Sequence, residues 1–80
     1  WWAEHVSRGV RLMNRNQVAA AEQEFQWAIR LQPTEPVAYY NLGWIYQQTA
    51  RPELARDQYR RILEIAPDFQ LARQRLDELR

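Results

Sequence analysis

Apolar residues return along this chain at three- and four-residue intervals almost from end to end. Val6, Val10 and Met13 share one helical face, as do Leu42, Ile45 and Tyr46, and no segment alternates strictly enough for a strand. The pattern predicts five helices: about 2–14, 17–31, 35–49 and 52–65, then one that follows Asp68 and reaches Leu79 or Arg80. Gln32-Pro33-Thr34 and Ala66-Pro67 separate them, because the residue before a proline is pushed out of the α region. Thr34 and Asp68 are the expected N-caps, with Pro36 and Pro52 tolerated in first turns. Asn16 suits a tight turn, since Asn tolerates positive φ. Ala50, which follows it by 34 residues, does not, so the second turn is expected to be strained or differently shaped.

That spacing of 34 is general. Gly9, Leu12, Ala21, Phe25, Ile29, Leu31 and Pro33 return in register as Gly43, Tyr46, Ala55, Tyr59, Leu63, Ile65 and Pro67. A fixed period of this size marks stacked supersecondary units, and such arrays bind more than they catalyse. Each unit carries a glycine inside its first helix, at a cost of roughly 0.5–1 kcal/mol against alanine, so a packing reason is required. Close approach supplies one: Gly9 should face Ala21 and Phe25, and Gly43 should face Ala55 and Tyr59.

Residues 36–69 resemble a tetratricopeptide repeat, with Tyr39, Leu42, Gly43, Tyr46, Ala55, Tyr59 and Pro67 in the family's pattern. Residues 2–35 are similar through Gly9, Leu12, Ala21, Phe25, Ala28 and Pro33, but His5 stands where an aromatic is usual and Arg8 where a leucine is. Ile62 replaces the family's second alanine. Residues 70–80 look like the start of a third repeat, with Leu76 aligned to Leu42 and Asp77 in place of the glycine. That segment is expected to cap the array, with Arg73, Asp77 and Arg80 as its polar outer face. The implied fold is one all-α domain, a right-handed stack of two antiparallel helical hairpins and a capping helix. The implied function is protein binding.

Composition sets the limits. Eighty residues, 46% hydrophobic and 26% charged, suit one globular domain whose core supplies on the order of 3–5 kcal/mol. Eleven arginines against ten acidic residues give a net charge of +1 with signs interspersed, a poor field for nucleic acid. There is no cysteine, and no apolar run approaches the ~20 residues of a membrane span. The chain opens on Trp1 without an initiator Met and is expected to be a fragment or a processed product, its compartment open with the cytoplasm as first choice. Two repeats and a helix fall short of the about three repeats that bury a continuous core. Either the unit is a minimal capped module or a neighbour covers its ends, self-association through the Trp1/Trp2 end being one such case. Trp1 and Trp2 can also fold over that end, or mark the edge of a membrane segment.

Chemistry finds little support. His5 is the only histidine and lacks metal-ligand spacing, while Glu22/Glu24 and Asp77/Glu78 point apart on a helix. Both glycines sit inside helices, so there is no phosphate loop. No enzyme, metal, cofactor or small-molecule substrate is expected.

Binding is expected where the first helix of each hairpin lines the concave face. With the glycines as inward markers, that face carries Val6, Val10 and Met13, then Tyr40, Asn41, Trp44, Gln47 and Gln48, then Arg75. Tyr40 and Trp44 can equally be core, since aromatics at helical spacing usually are. Rings beside amides suit a peptide: the ring offers buried area and the amide pairs with the bound backbone. Some family members hold a peptide's C-terminal carboxylate in a clamp that Asn41 and Arg75 match. Val6, Val10 and Leu71 replace its other members, so an apolar or amphipathic segment is the expected ligand. Trp27, paired by the period with Arg61, is expected to face outward, either as an ordinary isolated surface tryptophan or as a second contact patch on the convex side. The alternative role is an assembly or oligomerisation element of a larger protein, membrane-associated or not.

Overall fold

The computed structural model describes residues 1–79, so Arg80 and its expected place on the capping face lie outside the described residues. Five helices follow one another: α1 (Trp2–Asn14), α2 (Val18–Leu31), α3 (Pro36–Gln48), α4 (Pro52–Ile65) and α5 (Gln70–Glu78). No strand occurs among the described residues. α1 packs on α2 and α3 on α4 as hairpins; α2 meets α3, α4 meets α5, and α1 touches α3. The fold is an all-α stack of tetratricopeptide-like hairpins.

The period governs where helices stop. Gln32 (φ −145°, ψ 82°) and Ala66 (φ −137°, ψ 87°) are both extended, as a residue before proline must be. Asn16 and Ala50 both adopt positive φ, 61° and 58°. After α1, the Gln17 amide donates to the Leu12 carbonyl and the Asn16 amide to Met13. After α3, the Arg51 amide donates to Tyr46 and the Ala50 amide to Gln47. Both ends are therefore Schellman turns of the same shape, and Ala50 carries the strain that Asn16 avoids.

The expected N-caps are corrected. Glu35 and Phe69 are the N-caps of α3 and α5, and neither makes a side-chain capping bond. Thr34 instead accepts from the Gln32 amide at 3.3 Å, one residue too early to cap.

The hairpins are keyed by glycine on aromatic. A Cβ on Gly9 would lie 2.7 Å from the Phe25 ring, and one on Gly43 would lie 2.7 Å from the Tyr59 ring. Phe25 and Tyr59 are fully buried, each stabilising the fold by roughly 2–3 kcal/mol. Around them the core gathers Tyr39, Leu42, Ile45, Tyr46, Ile62 and the small residues Ala21, Ala55 and Ala72. No buried polar side-chain atom among the described residues lacks a partner.

Candidate functional site

The turn between α1 and α2 decides the geometry of the face. Because Asn16 reverses the chain in the left-handed region, Val18 is brought back against α3. The result is a cleft of about 230 Å³ lined by Met13, Asn16, Val18, Trp44, Ile45 and Gln48. Its walls are apolar except for two amides at the rim, Asn16 and Gln48, both exposed. Trp44 is half-buried and forms the shared wall.

On the other side of Trp44 stands α5. The Arg75 guanidinium lies 4.8 Å from the Trp44 ring, a cation–π distance. Arg75 Nε donates to the Tyr40 hydroxyl at 3.3 Å, and Nη1 donates to Glu78 at 3.1 Å. The Tyr40 hydrogen bond is the main reason the guanidinium is held above even its usual high value, so Arg75 is a permanent cation. Tyr40 itself is half-buried, its ring 5.8 Å from Tyr59 and 6.1 Å from Phe69. It packs against the core as well as lining the face.

Of the residues expected on the face, Met13, Trp44 and Gln48 share the cleft, and Arg75 and Tyr40 meet beside it. Val6 and Val10 are half-buried against the core, and Asn41 is half-buried on α3. Gln47 was expected on the face but turns inward, where its Oε1 accepts from the Tyr59 hydroxyl at 2.8 Å. A buried phenol needs an acceptor, and Gln47 is the side chain within reach. The cleft residues missed from the sequence are Asn16, Val18 and Ile45. Their signal is the positive-φ turn itself, which folds the start of α2 toward α3.

Trp27 stacks on His5 at 6.2 Å between centroids and carries the Arg30 guanidinium at 5.1 Å, leaving it 49% exposed. His5 Nδ1 lies 2.7 Å from Glu24 Oε1. No group of three or more metal-ligating side chains gathers among the described residues. No described helix is long and apolar enough to cross a membrane.

The tetratricopeptide-repeat family profile matches residues 36–69, the span from α3 through Phe69. The chain carries a tetratricopeptide repeat. Its hairpin is α3–α4, and α1–α2 repeats that construction down to the glycine–aromatic key and the Schellman turn. Repeats of this family generally mediate protein–protein interaction. The chain is 33% identical over 66 residues to cellulose synthase 2 operon protein C of Komagataeibacter xylinus, covering 82% of the chain. It is 33% identical over 75 residues to protein O-mannosyl-transferase F38B6.6 of Caenorhabditis elegans, covering 94% of it. The chain spans 5% and 11% of the length of these two relatives.

Proposed function

We propose that the face formed by α1, α3 and α5 holds an apolar or amphipathic peptide segment, or a helix, of a partner protein. One observation carries the reading: the cleft between Met13, Val18 and Trp44, with amides at its rim and a fixed cation on the far side of the indole. About 230 Å³ suits one large apolar side chain, and burying it would contribute roughly 2–3 kcal/mol. Asn16 and Gln48 stand where they can pair with the backbone on either side of that anchor. Arg75 favours an acidic group next to it. The mechanism is shape, apolar burial and hydrogen bonding, with no chemical step and no cofactor. The transferase name of one relative belongs to a protein of which this chain spans 11%, and no catalytic role is proposed here.

A pull-down with the wild type and Trp44→Ala, followed by affinity measurement on the captured protein, tests this. The alanine variant should bind at least about tenfold more weakly, as truncation of a central aromatic anchor does. Unchanged affinity would sink the proposal.

The small share of each relative that the chain spans favours a second reading, an assembly element within a larger protein. In that case Trp44→Ala leaves capture unchanged, while changes at the ends of the stack abolish it.

A further inference from the structure

The charge beside Trp44 comes from α5. α3, which supplies Tyr40, Trp44 and Gln48, carries no charged residue, and none lines the cleft. The repeat register shows how the charge enters. Ser7 and Val10 on α1 return as Asn41 and Trp44 on α3, both pairs uncharged, and then as Arg75 and Glu78 on α5. The two positions change together, and the new side chains pair with each other at 3.1 Å.

The partners of Arg75 are not equivalent. Tyr40 and Trp44 belong to α3, are half-buried, and form the bed on which the guanidinium lies. Glu78 is one turn along α5 itself, with its side chain 55% exposed against 28% for Arg75. It is the outer partner, on the side from which a ligand reaches the cation. An exposed ion pair of this kind contributes little to stability, so the fold does not require Glu78.

We infer that Glu78 sets the charge preference of the Trp44 site by holding the place on Arg75 that a ligand carboxylate would take. This role rests on the reading of the face as a peptide site. An incoming carboxylate must displace Glu78 and then sit beside a second anion, and like charges brought together oppose binding. A neutral side chain or a backbone carbonyl accepts from the remaining guanidinium N–H groups without that cost. The face therefore takes an apolar anchor flanked by neutral groups nearly as readily as one flanked by acids. Without Glu78 it becomes acid-selective.

Two short peptides with blocked ends test this, one with a leucine between two aspartates and one with the leucine between two asparagines. Titrations followed on the protein's amide resonances read even weak binding. The wild type should bind the two within about threefold of each other, and Glu78→Gln should bind the aspartate peptide at least about tenfold more tightly than the other. That preference should shrink as ionic strength rises from about 0.05 to about 0.3 M, and Arg75→Gln added to Glu78→Gln should remove it. Asp57, paired with Arg60 on α4 at the same spacing, is the control: Asp57→Asn removes an equal charge and should leave the ratio within about threefold. Trp44→Ala should weaken both peptides in every background. An unchanged ratio in Glu78→Gln, an equal rise in Asp57→Asn, or a tenfold aspartate preference already in the wild type overturns the role of Glu78. In each of those cases the peptide reading stands as long as Trp44→Ala weakens both peptides. If neither peptide binds in a Trp44-dependent way, the peptide reading fails and the role of Glu78 fails with it.

Discussion

The two hairpins share one backbone plan but differ in what they hide. α3 buries Ala38, Tyr39, Leu42, Gly43, Ile45 and Tyr46, whereas α1 fully buries only Gly9. The reason is packing: α3 is held between α2 and α4, whereas α1 packs on α2 and only touches α3. Where the two hairpins must do the same job they agree, as in the glycine–aromatic key. Elsewhere the contact survives while the residues change. Tyr39 carries the Arg61 guanidinium 6.0 Å from its ring, and the equivalent pair in the first hairpin is His5 stacked on Trp27. The flat partner has moved from the first helix to the second. Repeat symmetry here preserves geometry more faithfully than it preserves chemistry.

The most direct way to break the comparison is to exchange Leu42 with Arg8, its counterpart 34 residues earlier. Leu42→Arg puts the charge of Arg8 into the α2–α3 contact. It removes a buried leucine and buries a cation without a partner, at a cost of about 4 kcal/mol or more. A domain with about 3–5 kcal/mol in hand should then lose its cooperative thermal transition. The reverse exchange, Arg8→Leu, lies on the exposed edge of α1 and should move stability by less than about 0.5 kcal/mol. A comparable loss in both variants would show that the two edges are equally enclosed.

Next in size is a difference at alkaline pH. Tyr59 is fully buried, and burial is the first cause that pushes its phenol up to about 12; the Tyr40 and Glu78 charges add to this and Arg75 opposes it. Below pH 10, folded and unfolded chains both keep the proton, so nothing is lost. Above pH 10 the unfolded chain ionises first, and stability should fall by about 2–3 kcal/mol on approaching pH 12. Phe25 holds the same place in the first hairpin and has no proton to lose. Tyr59→Phe should therefore flatten this part of the curve, at about 1 kcal/mol of neutral-pH stability from the lost Gln47 bond. An alkaline fall that persists in the variant would place its origin elsewhere.

The glycine pair gives a smaller contrast. Alanine at either position gains about 1 kcal/mol of helix propensity but sets a methyl 2.7 Å from a buried ring. Such overpacking costs about 1–3 kcal/mol. α1 packs on α2 and only touches α3, so it can shift more readily than α3, which is packed against both α2 and α4. Urea titration should place Gly43→Ala about 1–2 kcal/mol below the wild type and Gly9→Ala within about 1 kcal/mol of it.

How far the sequence carried the reading follows from the same contrast. The helices, their breaks and the Gly9–Phe25 and Gly43–Tyr59 contacts were legible because the period repeats their residues. The N-caps were not: Thr34 and Asp68 have the right chemistry, but α3 and α5 begin one residue later than a side-chain cap would require. Gln47 was assigned outward because helical phase alone cannot tell that Tyr59 needs an acceptor. The His5–Trp27–Glu24 cluster joins residues about twenty apart, and the period hides it because its members differ from Tyr39, Arg61 and Gln58. The cleft beside Trp44 depends on where one left-handed residue sends the chain, and the shape of that turn is not written in hydrophobic spacing.

That turn supplies the finest comparison. Asn16 and Ala50 have nearly the same φ and the same pair of turn hydrogen bonds, so they differ in side chain and not in shape. An alanine in the left-handed region costs about 1–2 kcal/mol, part of which asparagine recovers through local hydrogen bonding and glycine avoids altogether. Glycine gives some of this back as extra freedom in the unfolded chain. Ala50→Gly and Ala50→Asn should each stabilise the protein by about 0.5–1 kcal/mol, which raises the melting temperature by roughly 2–8 °C in a domain of this size. Asn16→Ala should lower it by a similar amount. If Ala50→Gly lowers the melting temperature instead, the second turn does not keep the left-handed shape in solution. The equivalence of the two hairpins would then end at α3.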